Sequence, residues 1–375
     1  MAEILFWISF LLLIYAFCGY PSLIRLMAAL TGKKSRSSDD HTPEVSILLS
    51  VYNEEKVILA KIENFFQLDY PAELIELIVI SDGCTDKTET IVTSFDSSRI
   101  RLFIQDQRGG KTLALNRGAI EAMGEILIFT DANSMFAPDA VHKLVRHFSD
   151  PAVGLVSGRS VYLDSQTRVE QSGDAYRRYE DYLKEQESKT VSIVGADGAI
   201  YAMRKQLYTP LPPEHINDFI HPMQVAAKGF RALYEPVAVC REVLDSDPSG
   251  ELNRQTRIMA QSWLIVFVQT KNLLKARCYA LLWAVFSHKI LRWLTLPLMV
   301  ILLVSNVLIL KNSMIFQMFF ALQVAFYIAA AFGWNKAQGL LRIPTMFILL
   351  HTAAIFGLIR LATGKVYTTW NPRNN

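Results

Sequence analysis

The residues with the capacity for chemistry sit at the ends of apolar runs. Glu125-Ile126-Leu127-Ile128-Phe129-Thr130-Asp131-Ala132-Asn133 sets four apolar residues in a row, then stops at a carboxylate and a carboxamide, with Ser134 following. Such a run reads as a strand buried on both faces. The carboxyl ends of parallel strands are where open α/β sheets bind ligands. Asp131 is therefore a candidate hard-oxygen ligand for a divalent cation that in turn holds a phosphate. Asp is also a frequent turn and helix-capping residue, so one such position decides little. Two further runs end alike: Val45 to Val51 leads into Asn53 and Glu54, and Leu74 to Ser81 leads into Asp82. In a doubly wound sheet these ends share one edge, and the three sets of polar groups converge on one crevice. Lys111 adds either a cation suited to a diphosphate or a solvated first-turn lysine.

The elements that must position these groups form an alternating series. Val45–Val51, Leu74–Ser81, Ile100–Gln105 and the strand ending at Asp131 alternate with helices opening near Asn53, after Asp86 and at Lys111. Strands and helices in this rhythm predict a mostly parallel, Rossmann-like sheet with helices on both faces. Val153–Tyr162 and Phe230–Val239 read as further strands. Arg168–Lys189 reads as a charged helix whose Tyr176, Tyr179 and Tyr182 line an acceptor groove or, more simply, pack against the sheet.

Both ends of the chain are apolar. With 51% hydrophobic residues and a mean hydropathy of +0.22, a membrane portion is expected among the 375 residues. Ile4–Tyr20, extended by Leu23–Leu30, is long enough to cross a bilayer. It lacks the basic leader and the small-x-small site of a cleaved signal, so it reads as an uncleaved anchor. Lys33, Lys34 and Arg36 follow, which places that flank in the cytoplasm and the amino terminus outside. Residues 31–43 form a polar linker. Gln261–Leu274, and a second element over Cys278–His288, suit helices lying on the cytoplasmic leaflet. Leu291–Leu310, Met314–Trp334 and Ile343–Ala362 each reach spanning length. Lys336 and Arg342 favour a cytoplasmic loop between the last two, which leaves Arg360, Lys365 and Arg373 outside; a re-entrant last segment would remove the conflict. The expected domains are an anchor over 1–30, a catalytic domain over 43–250, interfacial helices over 251–290 and a transmembrane bundle over 291–365.

A net charge of +3 without a basic stripe argues against nucleic acid as a partner. Cys18, Cys84, Cys240 and Cys278 lack metal spacing and read as unpaired thiols in a reducing compartment. The seven histidines are dispersed, and His215 and His221 are expected to be ordinary polar residues.

The motifs carry a resemblance. Val51-Tyr52-Asn53-Glu54-Glu55, Ile80-Ser81-Asp82-Gly83-Cys84-Thr85-Asp86, Gly110-Lys111-Thr112-Leu113-Ala114-Leu115-Asn116 and Phe129-Thr130-Asp131-Ala132-Asn133 resemble, in order and spacing, the successive motifs of family 2 glycosyltransferases. The likeness runs over roughly residues 43–260. It implies the GT-A fold, an inverting mechanism, a nucleotide-sugar donor, and Mg²⁺ or Mn²⁺. By the same likeness Tyr52, Asn53 and Glu54 would line the nucleobase pocket, and Asp82 would bind the uracil or ribose. Asp131 would be the first Asp of the family's DxD metal motif, with Asn133 a neutral stand-in for the second. Ser192–Arg204 resembles the glycine-rich segment preceding the catalytic acid.

Ile216-Asn217-Asp218-Phe219 is similar to the family's acidic pair, whose second member is the general base, so Asp218 takes that role. Asn217 departs from the usual acid. Arg254-Gln255-Thr256-Arg257-Ile258 falls where many membrane-bound members carry Gln-x-x-Arg-Trp. Arg257 matches the arginine, a clamp for the leaving diphosphate. Ile258 replaces the tryptophan on which processive synthases stack the acceptor sugar, and Trp263 is the nearest substitute. The architecture resembles the cellulose, hyaluronan and poly-N-acetylglucosamine synthase group. The expected activity is sugar transfer from a nucleotide-sugar, on the expectation a UDP-sugar, to a saccharide acceptor in cell-surface glycan synthesis. The setting is a multi-pass protein of the plasma (inner) membrane, its catalytic domain cytoplasmic, with membrane lipid and partner subunits around it. Single transfer to a lipid-linked acceptor and a silent export or scaffold subunit are the alternatives.

Overall fold

The computed structural model describes residues 1–33, 35–164, 175–244, 248–334 and 341–364. Expectations on Lys34, Lys336, Lys365, Arg373 and the helix start at Arg168 lie outside the described residues. The chain divides into two compact units. One holds Met27–Ser246 and Ile265–Leu282; the other holds Met1–Leu26, Asp247–Leu264 and Trp283–Val366.

The first unit is built on an eight-stranded sheet of order β3-β2-β1-β4-β7-β6-β8-β5. Its strands are β1 (Val45–Val51), β2 (Ile75–Ser81), β3 (Ile100–Ile104), β4 (Ile126–Thr130), β5 (Ser134–Phe136), β6 (Val153–Asp164), β7 (Ile200–Arg204) and β8 (Arg231–Leu244). The β1–β2, β1–β4, β2–β3 and β6–β8 pairings are parallel. The β4–β7, β6–β7 and β5–β8 pairings are antiparallel, so the sheet is mixed beyond β4. Successive side chains of a strand point to opposite faces, and the apolar runs accordingly feed two cores. Ile47, Leu49 and Val51 pack with Ile58, Ile62 and Phe65 on one face. Leu48, Ile78, Ile80 and Phe129 pack with Ala114, Leu115 and Tyr201 on the other.

Three local expectations change. The helix expected to open at Asn53 starts at Ile58 and runs to Phe66. Asn53 sits at φ 55, a left-handed conformation that Asn tolerates and a helix does not. β5 and β7 escaped the sequence, β5 being too short for an alternation signal and β7 being embedded in small residues. In the helix Ala175–Thr190, Tyr176 is exposed, while Leu183, Gln186 and Glu187 are the buried positions.

In the second unit, three helices among the described residues are long and apolar enough to cross a membrane: Ala2–Thr31, Met314–Gly333 and Ile343–Ala362. The span expected over 291–310 is instead a bent pair, Tyr279–Trp293 and Thr295–Ile309, meeting at 58°; counted as one span it makes a fourth. The cause is Pro297, whose ring clashes with the carbonyl four residues back, at Trp293, and which has no N–H to give it. Aromatic contacts tie this unit together: Phe6 meets Phe316 edge-on at 5.2 Å, and Trp283 Nε1 donates to Tyr15 Oη at 2.8 Å.

Candidate active site

β2, β1 and β4 are neighbours in the sheet, so their carboxyl ends present Asp82, Asn53 with Glu54, and Asp131 along one edge. The loop after β1 is pinned to the loop after β2. Asn53 Oδ1 accepts from the Thr85 N–H at 2.8 Å, the Glu54 N–H donates to Thr88 Oγ1 at 2.8 Å, and the Glu55 N–H donates to Asp86 Oδ2 at 3.0 Å. Tyr52 carries the Arg108 guanidinium over its ring at 3.6 Å, a cation–π contact. Burial, then the charges of Asp131 and Asp86, raise the Glu54 carboxyl to about 7.

Asp82 is fully buried. Its carboxylate accepts the N–H groups of Gly109 at 2.7 Å and Gly110 at 2.9 Å. Burial raises its pKa, and these backbone bonds work against that rise. Gly110 sits at φ 92, a backbone that side chains resist, and from there the helix Lys111–Glu121 begins. Asp82 thereby shapes the glycine loop.

Lys111, the first residue of that helix, turns its ammonium onto Asp131 Oδ1. Burial pulls the Lys111 pKa down, yet Asp131, Asp218 and Glu242 outweigh it and hold the group above the ordinary lysine value. The Asp131 side chain remains 39% exposed, enough to take a further ligand. Asn133 lies half-buried in the turn between β4 and β5.

Asp218 lies in the first turn of the helix Asn217–Ala227, whose N-cap is Ile216; it is not the capping residue. The Ala196 N–H donates to its backbone carbonyl at 2.9 Å. A Cβ at Gly198 would come within 2.7 Å of Asp218 Oδ2, so the glycine-rich segment leaves room for this carboxylate. Burial raises the Asp218 pKa, Lys111 opposes the rise, and Asp197 and Asp131 add to it. A base poised above the ordinary carboxylate range suits proton removal near neutral pH. Asn217 Oδ1 accepts from Thr112 Oγ1 at 3.2 Å, which joins the helix of Asp218 to the helix of Lys111. His221 is buried, 3.1 Å from the Tyr201 hydroxyl, and burial lowers it to about 3. It is a core residue.

Two residues at this site went unnoticed in the sequence. Lys61 is 3% exposed; its ammonium donates to Thr130 Oγ1 at 2.8 Å and to the Ser134 carbonyl, bracketing the turn that bears Asp131 and Asn133. Burial lowers its pKa to about 8. Its signal was available, because Ile58, Lys61, Ile62 and Phe65 occupy one helical stripe and a lysine there interrupts an apolar face. Glu242 sits opposite Ser134 in the β5–β8 register and accepts its hydroxyl at 2.6 Å. Nothing in its local sequence marks it.

Among the described residues, no group of three or more His, Cys, Asp or Glu stands ready to hold a metal. One carboxylate already engaged with a cationic group still fits a cation of the Mg²⁺ type. Such ions bind through one or two carboxylates plus substrate phosphates rather than an all-protein cage.

Arg257 belongs to the second unit, on the helix Pro248–Lys275. Trp263, on the same helix, is buried and donates to the Ala354 carbonyl at 3.0 Å, with Trp293 edge-on at 4.8 Å. It is a packing anchor and does not replace the missing stacking tryptophan. Tyr182 lines a shallow groove of about 240 Å³ with Arg159, Asp181 and Tyr234.

Residues 46–208 match the model of glycosyl transferase family 2. The poly-beta-1,6-N-acetyl-D-glucosamine synthase of Staphylococcus aureus is 24% identical over 237 residues, which cover 60% of this chain and 56% of that protein. The probable glycosyltransferase YdaM of Bacillus subtilis is 33% identical over 132 residues, 34% of this chain and 31% of that one. The chain thus spans about half the length of the first curated relatives it matches. The solved mannosyltransferase PcManGT from Pyrobaculum calidifontis, in complex with GDP-Man and Mn²⁺, has the same fold at a TM-score of 0.71. It is 22% identical and the match covers 96% of this chain and 99% of that one. With the mixed sheet and the strand-end carboxylates already in place, these matches identify the chain as one that carries a family 2 glycosyltransferase domain on a GT-A fold.

Proposed function

We propose that the chain is an inverting glycosyltransferase of the cytoplasmic membrane that moves sugar from a nucleotide-sugar to a saccharide acceptor in cell-surface glycan synthesis. The observation that carries this is the Lys111 ammonium bound to the strand-end Asp131 and drawn also by the charge of Asp218 at a helix start. The nucleoside lies against Tyr52, Asn53 and Glu54, with Asp82 beneath. Asp218 takes the proton of the acceptor hydroxyl as that oxygen bonds to the anomeric carbon. On the opposite face the bond from that carbon to the diphosphate breaks, and its electron pair leaves with the diphosphate. Lys111 binds the departing phosphates. A divalent ion held by Asp131 and Asn133 would neutralise charge growing on the diphosphate.

The membrane setting is supported by composition as well as by the long helices. From residue 252 onward the chain holds 13 Lys and Arg and no Asp or Glu, a balance suited to an anionic leaflet. Toward the end of the helix Pro248–Lys275, Phe267, Val268 and Leu274 are exposed among Lys271 and Lys275, as on a helix lying in the interface. A second reading, single transfer to a lipid-linked acceptor, is favoured by Ile258 in the tryptophan position and by the buried Trp263. Product length separates the two.

The test is nucleoside diphosphate release by the purified full chain in lipid, with UDP- and GDP-sugars and Mg²⁺ or Mn²⁺. Turnover of one donor is expected. If no donor turns over and none binds in a metal-dependent way, the chain is a silent export or scaffold subunit.

A further inference from the structure

Two lysines approach the turn that carries Asp131 and Asn133, and they differ in freedom. Lys61 is 3% exposed and held by Thr130 and Ser134 on either side of the turn. It cannot leave without stripping two buried groups of their partner. The Lys111 side chain is 33% exposed, hangs from the first residue of its helix, and touches Asp131 through its terminal ammonium alone. Around that ammonium lie the charges of Asp131, Asp218 and Glu242. Glu242 is fixed next to the turn through Ser134, one residue after Asn133. Lys61 faces Asp131 and Glu242 as well, but it is pinned, so of the two positive groups only Lys111 can give up its place to a free cation. The turn itself supplies only one formal charge, since Asn133 is neutral.

We propose that the Lys111 ammonium is a tethered counter-ion that keeps the cation place beside Asp131 until a divalent ion displaces it, and that Glu242 supplies the negative charge Asn133 lacks. This rests on the metal-dependent reading above and assigns new roles to two residues within it. Freed from Asp131, the flexible lysine stem carries its charge to the incoming diphosphate, so one group serves first as placeholder and then as phosphate ligand. Lys61 keeps its place throughout and holds the turn in shape during the exchange.

Mn²⁺ binding to the full chain in lipid, without any sugar donor, tests this through the loss of the free-ion paramagnetic resonance signal. Removing a competing half-exposed ion pair should matter by about fivefold. Lys111→Met is therefore expected to bind Mn²⁺ about fivefold more tightly than wild type, and Lys111→Arg to bind like wild type. Glu242→Gln, which keeps the shape and the Ser134 contact, is expected to bind about tenfold more weakly, as loss of a nearby charge would. A Lys111→Met protein that binds no more tightly than wild type, while melting at the same temperature, overturns the counter-ion role. Unchanged affinity in Glu242→Gln overturns the role of Glu242. Wild type that binds no Mn²⁺, even with UDP or GDP added, overturns the metal reading itself and this proposal with it.

Discussion

The parallel half of the sheet, β3-β2-β1-β4, and the mixed half, β7-β6-β8-β5, meet at a seam where Phe129 stacks on Tyr201 at 4.5 Å. On the parallel side each strand ends in a polar group, and after β1, β2 and β3 a helix follows, so one structural unit is repeated with new side chains. On the mixed side polar groups arrive singly. Asp197 is pinned by the Ser160 N–H at 3.0 Å and by its hydroxyl at 2.6 Å. Asp218 comes from a helix start, and Glu242 from near the carboxyl end of β8, where the three-residue β5 pairs with it. The difference teaches how such a domain divides its work. A repeated strand-end geometry makes one continuous polar edge of the kind that binds ligands in open α/β sheets, whereas Asp218 and its surroundings, the proposed base side, are assembled from contacts made once.

If that division is right, changes on the two sides alter different kinetic constants. Asp218→Asn is expected to lower kcat by about a thousandfold or more while donor binding stays intact. Turnover that survives would place the base elsewhere. On the parallel side, Asp131→Ala is expected to abolish metal-dependent donor binding and lower kcat/KM by roughly a hundredfold or more, read by titrating donor at fixed Mn²⁺. Gly198→Ala sharpens the comparison, because its Cβ meets Asp218 Oδ2 at 2.7 Å. Displacing the base should cost roughly tenfold in kcat with little change in donor KM.

Lys61→Met acts from beneath the parallel side. It leaves the Thr130 hydroxyl and the Ser134 carbonyl without their buried donor, a loss of about 1–3 kcal/mol visible as a lower melting temperature. The smallest effect is in the pH profile. The base works deprotonated, so rate falls as pH drops through the pKa of Asp218. Burial raises that pKa against the pull of Lys111, so the acid limb of kcat/KM should lie above the ordinary carboxylate range. In Lys111→Met, with the opposing charge gone, the limb should move higher still.

Legibility followed the same seam. Asp131, Asp82 and Glu54 could be singled out because continuous apolar runs announce buried strands, and the residue at the end of a parallel strand has a known place. Asp218 was found only through the motif it resembles; nothing in the helix Asn217–Ala227 taken alone separates a base from any first-turn acid. Asn53 and Asp82 were picked out as ligands, yet here they spend their polar atoms on Thr85 and on Gly109 with Gly110. A sequence names a donor or acceptor without saying what will satisfy it.

By itself the sequence determined the strands of the parallel half, the apolar ends and the identity of the strand-end carboxylates. Each of these follows from local periodicity and from sterics within a few residues, and the break at Pro297 was equally local. Tertiary structure alone decided that β7 and β5 run antiparallel. It also brought Glu242 to Ser134 across 108 residues of chain, buried Lys61 under the Asp131 turn, and set the Lys111 ammonium on Asp131. These depend on contacts between segments far apart in the chain, whose closeness is settled by the packing of the whole sheet and by the need to pair every buried charge.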